Sequence, residues 1–165
     1  EKLDLIASKT GSDVFFFQHC DDEGKGCALV SGRGEVVKKI IPRDDLFLLL
    51  IFPKVSSSTK EAYDLVDKYL AKKDKVKGPG LAELEDVYRK AVNQWNFVNT
   101  FTPALSKKYK EIEAALIDLK KVGSEYVEMS GSGSTVFGVS TLEQQAINSY
   151  NLLAEFWNCK VARVV

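Results

Sequence analysis

Leu46-Phe47-Leu48-Leu49-Leu50-Ile51-Phe52 is an unbroken apolar run that follows the turn-forming stretch Pro42-Arg43-Asp44-Asp45 and ends at Pro53. It has the length of a strand and shows no alternation, as expected for a central strand covered on both faces. It falls well short of the roughly 18 apolar residues that a membrane-spanning helix needs. The run therefore opens the main domain, placed at 45–165.

Downstream, the serines at 56 to 58 and Thr59 precede a helical pattern carrying Ala62, Leu65, Val66, Tyr69 and Leu70, with Ser58 and Glu61 as a capping box. The lysine-rich stretch Lys72 to Lys77 and Gly78-Pro79-Gly80 predict an exposed loop. Helical periodicity returns over Leu81 to Trp95 and over Pro103 to Val122, with Gly123 just past the second helix. Tyr126 to Met129 and Thr135 to Val139 read as strands, Thr141 to Trp157 as a helix capped by Thr141, and Lys160 to Val165 as a last strand. The order from residue 46 is that of a ferredoxin-like split βαβ fold enlarged by extra helices, in the α+β class.

Upstream lies a smaller piece, residues 1–44. Leu3, Leu5, Ile6 and Ala7 suggest the end of a helix stopped by Gly11, and Val14-Phe15-Phe16-Phe17 reads as a buried strand. Two short strands, Cys27 to Val30 and Val36 to Ile41, flank Ser31-Gly32-Arg33-Gly34-Glu35. This is a small β unit without partners. The only methionine is Met129 and apolar residues already stand at helical spacing from Leu3, so the sequence reads as cut at residue 1, a trimmed leader being the alternative.

Lysine plus arginine equal aspartate plus glutamate at 23 each, so no overall field draws the chain to nucleic acid or to an anionic membrane. With 45% hydrophobic and 28% charged residues the composition is globular. Cys20, Cys27 and Cys159 form an odd set without CxxC spacing, and residue 1 begins no secretory signal; both fit a reducing cytoplasm.

Several residues are candidates for chemistry. Ser130-Gly131-Ser132-Gly133-Ser134 offers hydroxyls and backbone N–H groups that can approach an anion closely, and equally fits a flexible strand connection. It is neither a dinucleotide fingerprint nor a Walker A loop. Asp13, between Gly11-Ser12 and an apolar run, is placed as a base or metal ligand would be, or as a turn residue. Asp21, Asp22 and Glu23 lack an EF-hand pattern and read as a solvated turn. The lone His19 beside Cys20 gives neither a zinc set nor a nucleophile pair, so no metal site is assigned. Tyr63 sits where an aromatic ring can face a ligand at a helix start, or simply pack; Trp95, Phe97 and Phe101 read as core.

Taken in order, Gly11 to Phe17, Ser31 to Glu35, Pro53 to Tyr63 and Met129 to Phe137 resemble the GHMP family of small-molecule kinases. The last segment is similar to the family's third motif, and the first looks like a G-[AS]-D-V-P-F-F stretch with Phe15 in place of proline. Asn99-Thr100-Phe101-Thr102 stands where Asn-Asp-Phe-Glu is common. The resemblance implies a GHMP C-terminal domain over 45–165, preceded at 1–44 by a remnant of the N-terminal catalytic domain. It further implies ATP and Mg2+ as cofactors and a cytidine diphosphate derivative as the small-molecule substrate, phosphorylated on the 2-hydroxyl of 4-diphosphocytidyl-2-C-methyl-D-erythritol in non-mevalonate isoprenoid synthesis. Asp13 then matches the base. Tyr63 matches the ring that stacks on cytosine, with Ser58 and Thr59 beside it in substrate binding, and Ser130, Gly131, Ser132, Gly133 and Ser134 match the loop along the phosphates. The family's ATP motif belongs upstream of residue 1, so the resemblance implies a missing N-terminal segment as partner and no activity for this piece alone. Another GHMP kinase, acting on mevalonate or homoserine, and a non-enzymatic ferredoxin-like binding module are the alternatives.

Overall fold

The computed structural model describes residues 6–7, 9–56, 58–71 and 76–164. Two compact units divide the chain, one before Asp45 and one spanning Asp45–Val164. The expectations for Leu3, Leu5, Lys72 to Lys75 and Val165 lie outside the described residues.

In the first unit, Ile6, Ala7, Lys9 and Thr10 are helical, and the Gly11 N–H donates to Ala7 O at 3.0 Å. Val14–Phe17 forms a short helix, α1, and not the expected strand. Four consecutive apolar residues carry no period that separates the two states. Here β1 (Ala28–Ser31) and β2 (Val36–Lys39) pair with each other, antiparallel, and among the described residues α1 joins neither of them. Local hydrogen bonds decide instead, Val14 N–H donating to Gly11 O at 3.2 Å and His19 N–H to Phe16 O at 2.9 Å.

The second unit is built on β3 (Phe47–Ile51), as its apolar run requires. It continues through α2 (Thr59–Leu70), a 3-10 turn at Leu81–Glu83, α3 (Leu84–Arg89), a second 3-10 turn at Val92–Gln94, α4 (Thr102–Lys108) and α5 (Lys110–Lys121). Then follow β4 (Tyr126–Met129), β5 (Val136–Ser140), α6 (Glu143–Leu153) and β6 (Cys159–Arg163). The strands form one antiparallel sheet in the order β4-β5-β3-β6, with Leu49 opposite both Gly138 and Val161. The first strand of the motif thus lies between its third and fourth, the ferredoxin-like arrangement expected.

Period-two alternation sends β3 side chains to both faces. Leu49 and Ile51 join Met129, Val136, Leu105, Ile112, Ala115 and Leu119 in the larger core beneath the helices. Leu46 and Leu48 join Val139, Val92, Trp95 and Tyr88 in the smaller core on the opposite face. The Ser58 hydroxyl accepts the Glu61 N–H at 3.2 Å and so caps α2 as expected.

Three helices depart from expectation. The segment 81–95 is not one helix: the backbone turns extended at Lys90 and Ala91, while Tyr88, Val92 and Trp95 still cover the sheet. The segment 103–122 breaks at Tyr109, whose φ of −106° and ψ of 104° separate α4 from α5. Thr141 does not cap α6; its N–H and hydroxyl both donate to Glu125 Oε1 at 2.7 Å, and Leu142 takes the cap position without a side-chain bond.

Candidate functional site

In the first unit Asp13 is exposed at the start of α1, with α-region backbone and no hydrogen bond from its carboxylate to the helix end. The preceding Ser12 is fixed by its neighbour in space, Gly34. This buried glycine has φ +105°, and a Cβ there would lie 2.0 Å from Ser12 O. Only glycine lets the two backbones meet so closely. The segments Gly11 to Phe17 and Ser31 to Glu35, read separately in the sequence, thus lie against each other. Beside them opens a cleft of about 470 Å³ lined by Lys9, Thr10, Gly11, Ser12, Phe15, Arg33 and Glu35.

His19 and Cys20 do not face a common site. The His19 ring bonds Phe15 O through Nδ1 at 2.8 Å, and the Cys20 thiol donates to Phe16 O at 3.7 Å. Among the described residues no group of three or more His, Cys, Asp or Glu side chains is arranged to hold a metal ion.

In the second unit the Ser130 to Ser134 loop joins β4 to β5. Ser130 N–H donates to Thr135 O and Gly133 N–H to Ser130 O, each at 2.9 Å, which closes a tight turn. The amides of Gly131, Ser132 and Ser134 donate to no group among the described residues and remain available to a ligand. Gly131 and Gly133 hold φ of +53° and +86°. The neighbouring amides of Gly131 and Ser132 are of the kind that can take up an anionic oxygen.

Ser134 Oγ donates to Val55 O at 3.0 Å and ties this loop to the segment leading into α2. One and a half turns into α2, the Tyr63 ring is 57% exposed and meets Phe101 edge-on, centroids 5.0 Å apart and planes at 84°. Ser58 is occupied as the cap of α2, and Thr59 begins that helix exposed to solvent. The structure thus links the loop and the start of α2 within one unit, while Asp13 belongs to the other.

Sequence reasoning missed Asn99 and Glu128. The Asn99 side-chain amide donates to Met129 O at 2.8 Å and Gly131 O at 2.7 Å. Glu128 Oε1 accepts Met129 N–H at 2.9 Å and the Thr102 hydroxyl. The Glu128 charge and, more strongly, burial raise the pKa of the neighbouring Tyr126, whose hydroxyl donates to Phe97 O. The available signals were an acidic residue inside a half-buried strand and the asparagine of the Asn99 to Thr102 stretch.

Residues 81–159 match the family described as GHMP kinases C terminal. This stretch of the chain is a GHMP kinase C-terminal domain. More particularly, the chain is similar to proteins named 4-diphosphocytidyl-2-C-methyl-D-erythritol kinase. The one from Treponema pallidum is 30% identical over 165 residues, covering 96% of this chain and 55% of the relative. That from Thermotoga maritima is 35% identical over 150 residues, covering 87% and 51%. The chain spans about half the length of the curated relatives it matches. A crystal structure of 4-(cytidine 5'-diphospho)-2C-methyl-D-erythritol kinase superposes with TM-score 0.70 at 22% identity, over 96% of this chain and 55% of that one. Homoserine kinase from Cytophaga hutchinsonii gives 0.52 at 19% identity, over 86% and 49%. Both structural likenesses bear on the fold.

Proposed function

We propose that the protein carrying this chain transfers the γ-phosphate of ATP to the 2-hydroxyl of 4-diphosphocytidyl-2-C-methyl-D-erythritol, a cytoplasmic step of non-mevalonate isoprenoid synthesis. The observation that carries this reading is the pairing, within one unit, of a loop with open amides and a solvent-facing tyrosine at a helix start. A nucleoside diphosphate presents both groups such a site recognises: a flat base for the Tyr63 ring, and phosphate oxygens for the amides of Gly131, Ser132 and Ser134. Asp13 is the base that accepts the hydroxyl proton as that oxygen attacks phosphorus. The loop donors hold the charge that develops in transfer. Magnesium enters with ATP, whose motif belongs to the N-terminal part of GHMP kinases, and residues 1–44 are read as the end of that N-terminal domain.

The relatives' shared name supports the substrate; mevalonate or homoserine would leave Tyr63 without a base to stack on. The test is a coupled ATP assay on the full-length protein with the diphosphocytidyl substrate. Asp13→Asn should lower kcat by about 100-fold or more, the range for loss of a general base. Tyr63→Ala should raise KM for the cytidine substrate about tenfold, from stacking worth ~1–3 kcal/mol per base. Turnover of homoserine or mevalonate in preference to the cytidine compound would overturn the assignment.

A further inference from the structure

Asn99 lies in the loop between the Val92–Gln94 turn and α4, outside the glycine loop and outside the helix that carries Tyr63. A primary amide has two hydrogens to donate, and both are used here: one on Met129 O at the end of β4 at 2.8 Å, the other on Gly131 O in the loop at 2.7 Å. Its oxygen accepts Phe101 N–H at 2.9 Å, and its own backbone N–H donates to Glu128 Oε2 at 3.2 Å. Both side-chain donors, the side-chain oxygen and the backbone N–H of Asn99 are therefore engaged in fixing residues 99–102 against the entrance of the Ser130 to Ser134 loop.

A planar trans peptide points its C=O and the following N–H in opposite directions. The bond that draws Gly131 O toward Asn99 thus turns the Ser132 N–H away from it. That amide is one of those with no partner among the described residues. Met129 O obeys the same geometry, and there the following Ser130 N–H is directed to Thr135 O, which closes the turn. Two residues beyond Asn99, Phe101 sets its ring edge-on against Tyr63. One short strap thereby restrains both the loop and the ring.

We propose that Asn99 is a positioning residue for phosphoryl transfer, fixing the Gly131–Ser132 peptide so that the Ser132 N–H is presented to the transferred phosphate. This rests on the reading of the loop as the phosphate site. An amide already aimed stabilises developing charge without reorganising during the reaction, so its loss falls on kcat more than on binding.

The informative substitution is Asn99→Asp in the full-length protein. It keeps the shape and the acceptor for Phe101 N–H but sets a carboxylate oxygen against two carbonyl oxygens. Expected are a fall in kcat of about 30-fold or more, a KM for the cytidine substrate within about threefold of the original, and faster hydrogen exchange confined to the two bonded loop amides, Ser130 and Gly133. Exchange in β5 should stay slow. Asn99→Ser, which retains one donor, should fall between the two and keeps the test open if the aspartate variant does not fold. A kcat within threefold of the original, unchanged exchange in the loop, or equal loss of protection in loop and β5 would overturn the positioning role. If the unaltered protein phosphorylates no cytidine substrate, the functional reading fails separately, and the exchange data still decide whether Asn99 holds the loop.

Discussion

At the scale of single residues, the two loop glycines separate backbone requirement from packing. Both need positive φ, which costs any other residue about 1–2 kcal/mol. A Cβ at Gly131 meets nothing within 4 Å, whereas one at Gly133 lies 2.9 Å from Met129 Sδ and 3.4 Å from Leu105 Cδ2. Met129 and Leu105 are core residues with little room to yield. Urea denaturation should therefore find Gly131→Ala less stable by ~1 kcal/mol and Gly133→Ala by ~2 kcal/mol or more. Equal losses would mean that the core gives way. Legibility divides along the same line. Gly131, Gly133 and their serines were visible because small residues next to hydroxyls are themselves a chemical signal. Asn99 was not, because what defines it is a pair of carbonyls 30 and 32 residues away.

At the scale of elements, the strands of the second unit were readable, whereas Val14 to Phe17, expected as a strand, is a helix, and most helix ends were not readable, for physical reasons. β3, β4 and β5 announce themselves by apolar runs and alternation. The break between α4 and α5 has no proline or glycine to mark it. Tyr109 leaves the helical region while its ring packs against the core, and Lys108 beside it reaches Glu61 on α2. That pair joins two helices distant in sequence. The Lys108 ammonium is the main cause of a Glu61 carboxyl held below its usual range, with Tyr109 second, and Glu61 in turn raises the Lys108 pKa. Because the folded carboxyl has the lower pKa, its contribution is complete above the unfolded value near 4.5 and is lost as pH falls through the folded one. Glu61→Gln should narrow the gap in stability between pH 7 and pH 3 relative to the original protein in parallel urea titrations. A gap of the same size would show that screening cancels the pair, as at many partly exposed ion pairs.

At the scale of the whole molecule, the distribution of core between the units decides what can stand alone. Both hydrophobic clusters lie within Asp45–Val164, including the fully buried Ile51, Leu105, Ile112 and Leu119. Among the described residues before Asp45, Ala7 is the buried hydrophobic, while Ile6, Phe17, Val36 and Ile41 are each more than half exposed. The β1-β2 pair is a two-stranded sheet, marginal in water without a layer to cover it. A boundary at residue 45 is thus proposed as a true domain boundary, with the second unit self-sufficient. Residues 45–164 expressed alone should melt in one cooperative transition, and residues 1–44 alone should give the circular dichroism of a coil. If the site is as proposed, the isolated second unit retains cytidine diphosphate binding that Tyr63→Ala weakens, and transfers no phosphate because both Asp13 and the N-terminal ATP motif are absent. A non-cooperative melt of residues 45–164 would show instead that the sheet depends on the preceding segment, and the boundary would then mark a fold in the chain and not a domain.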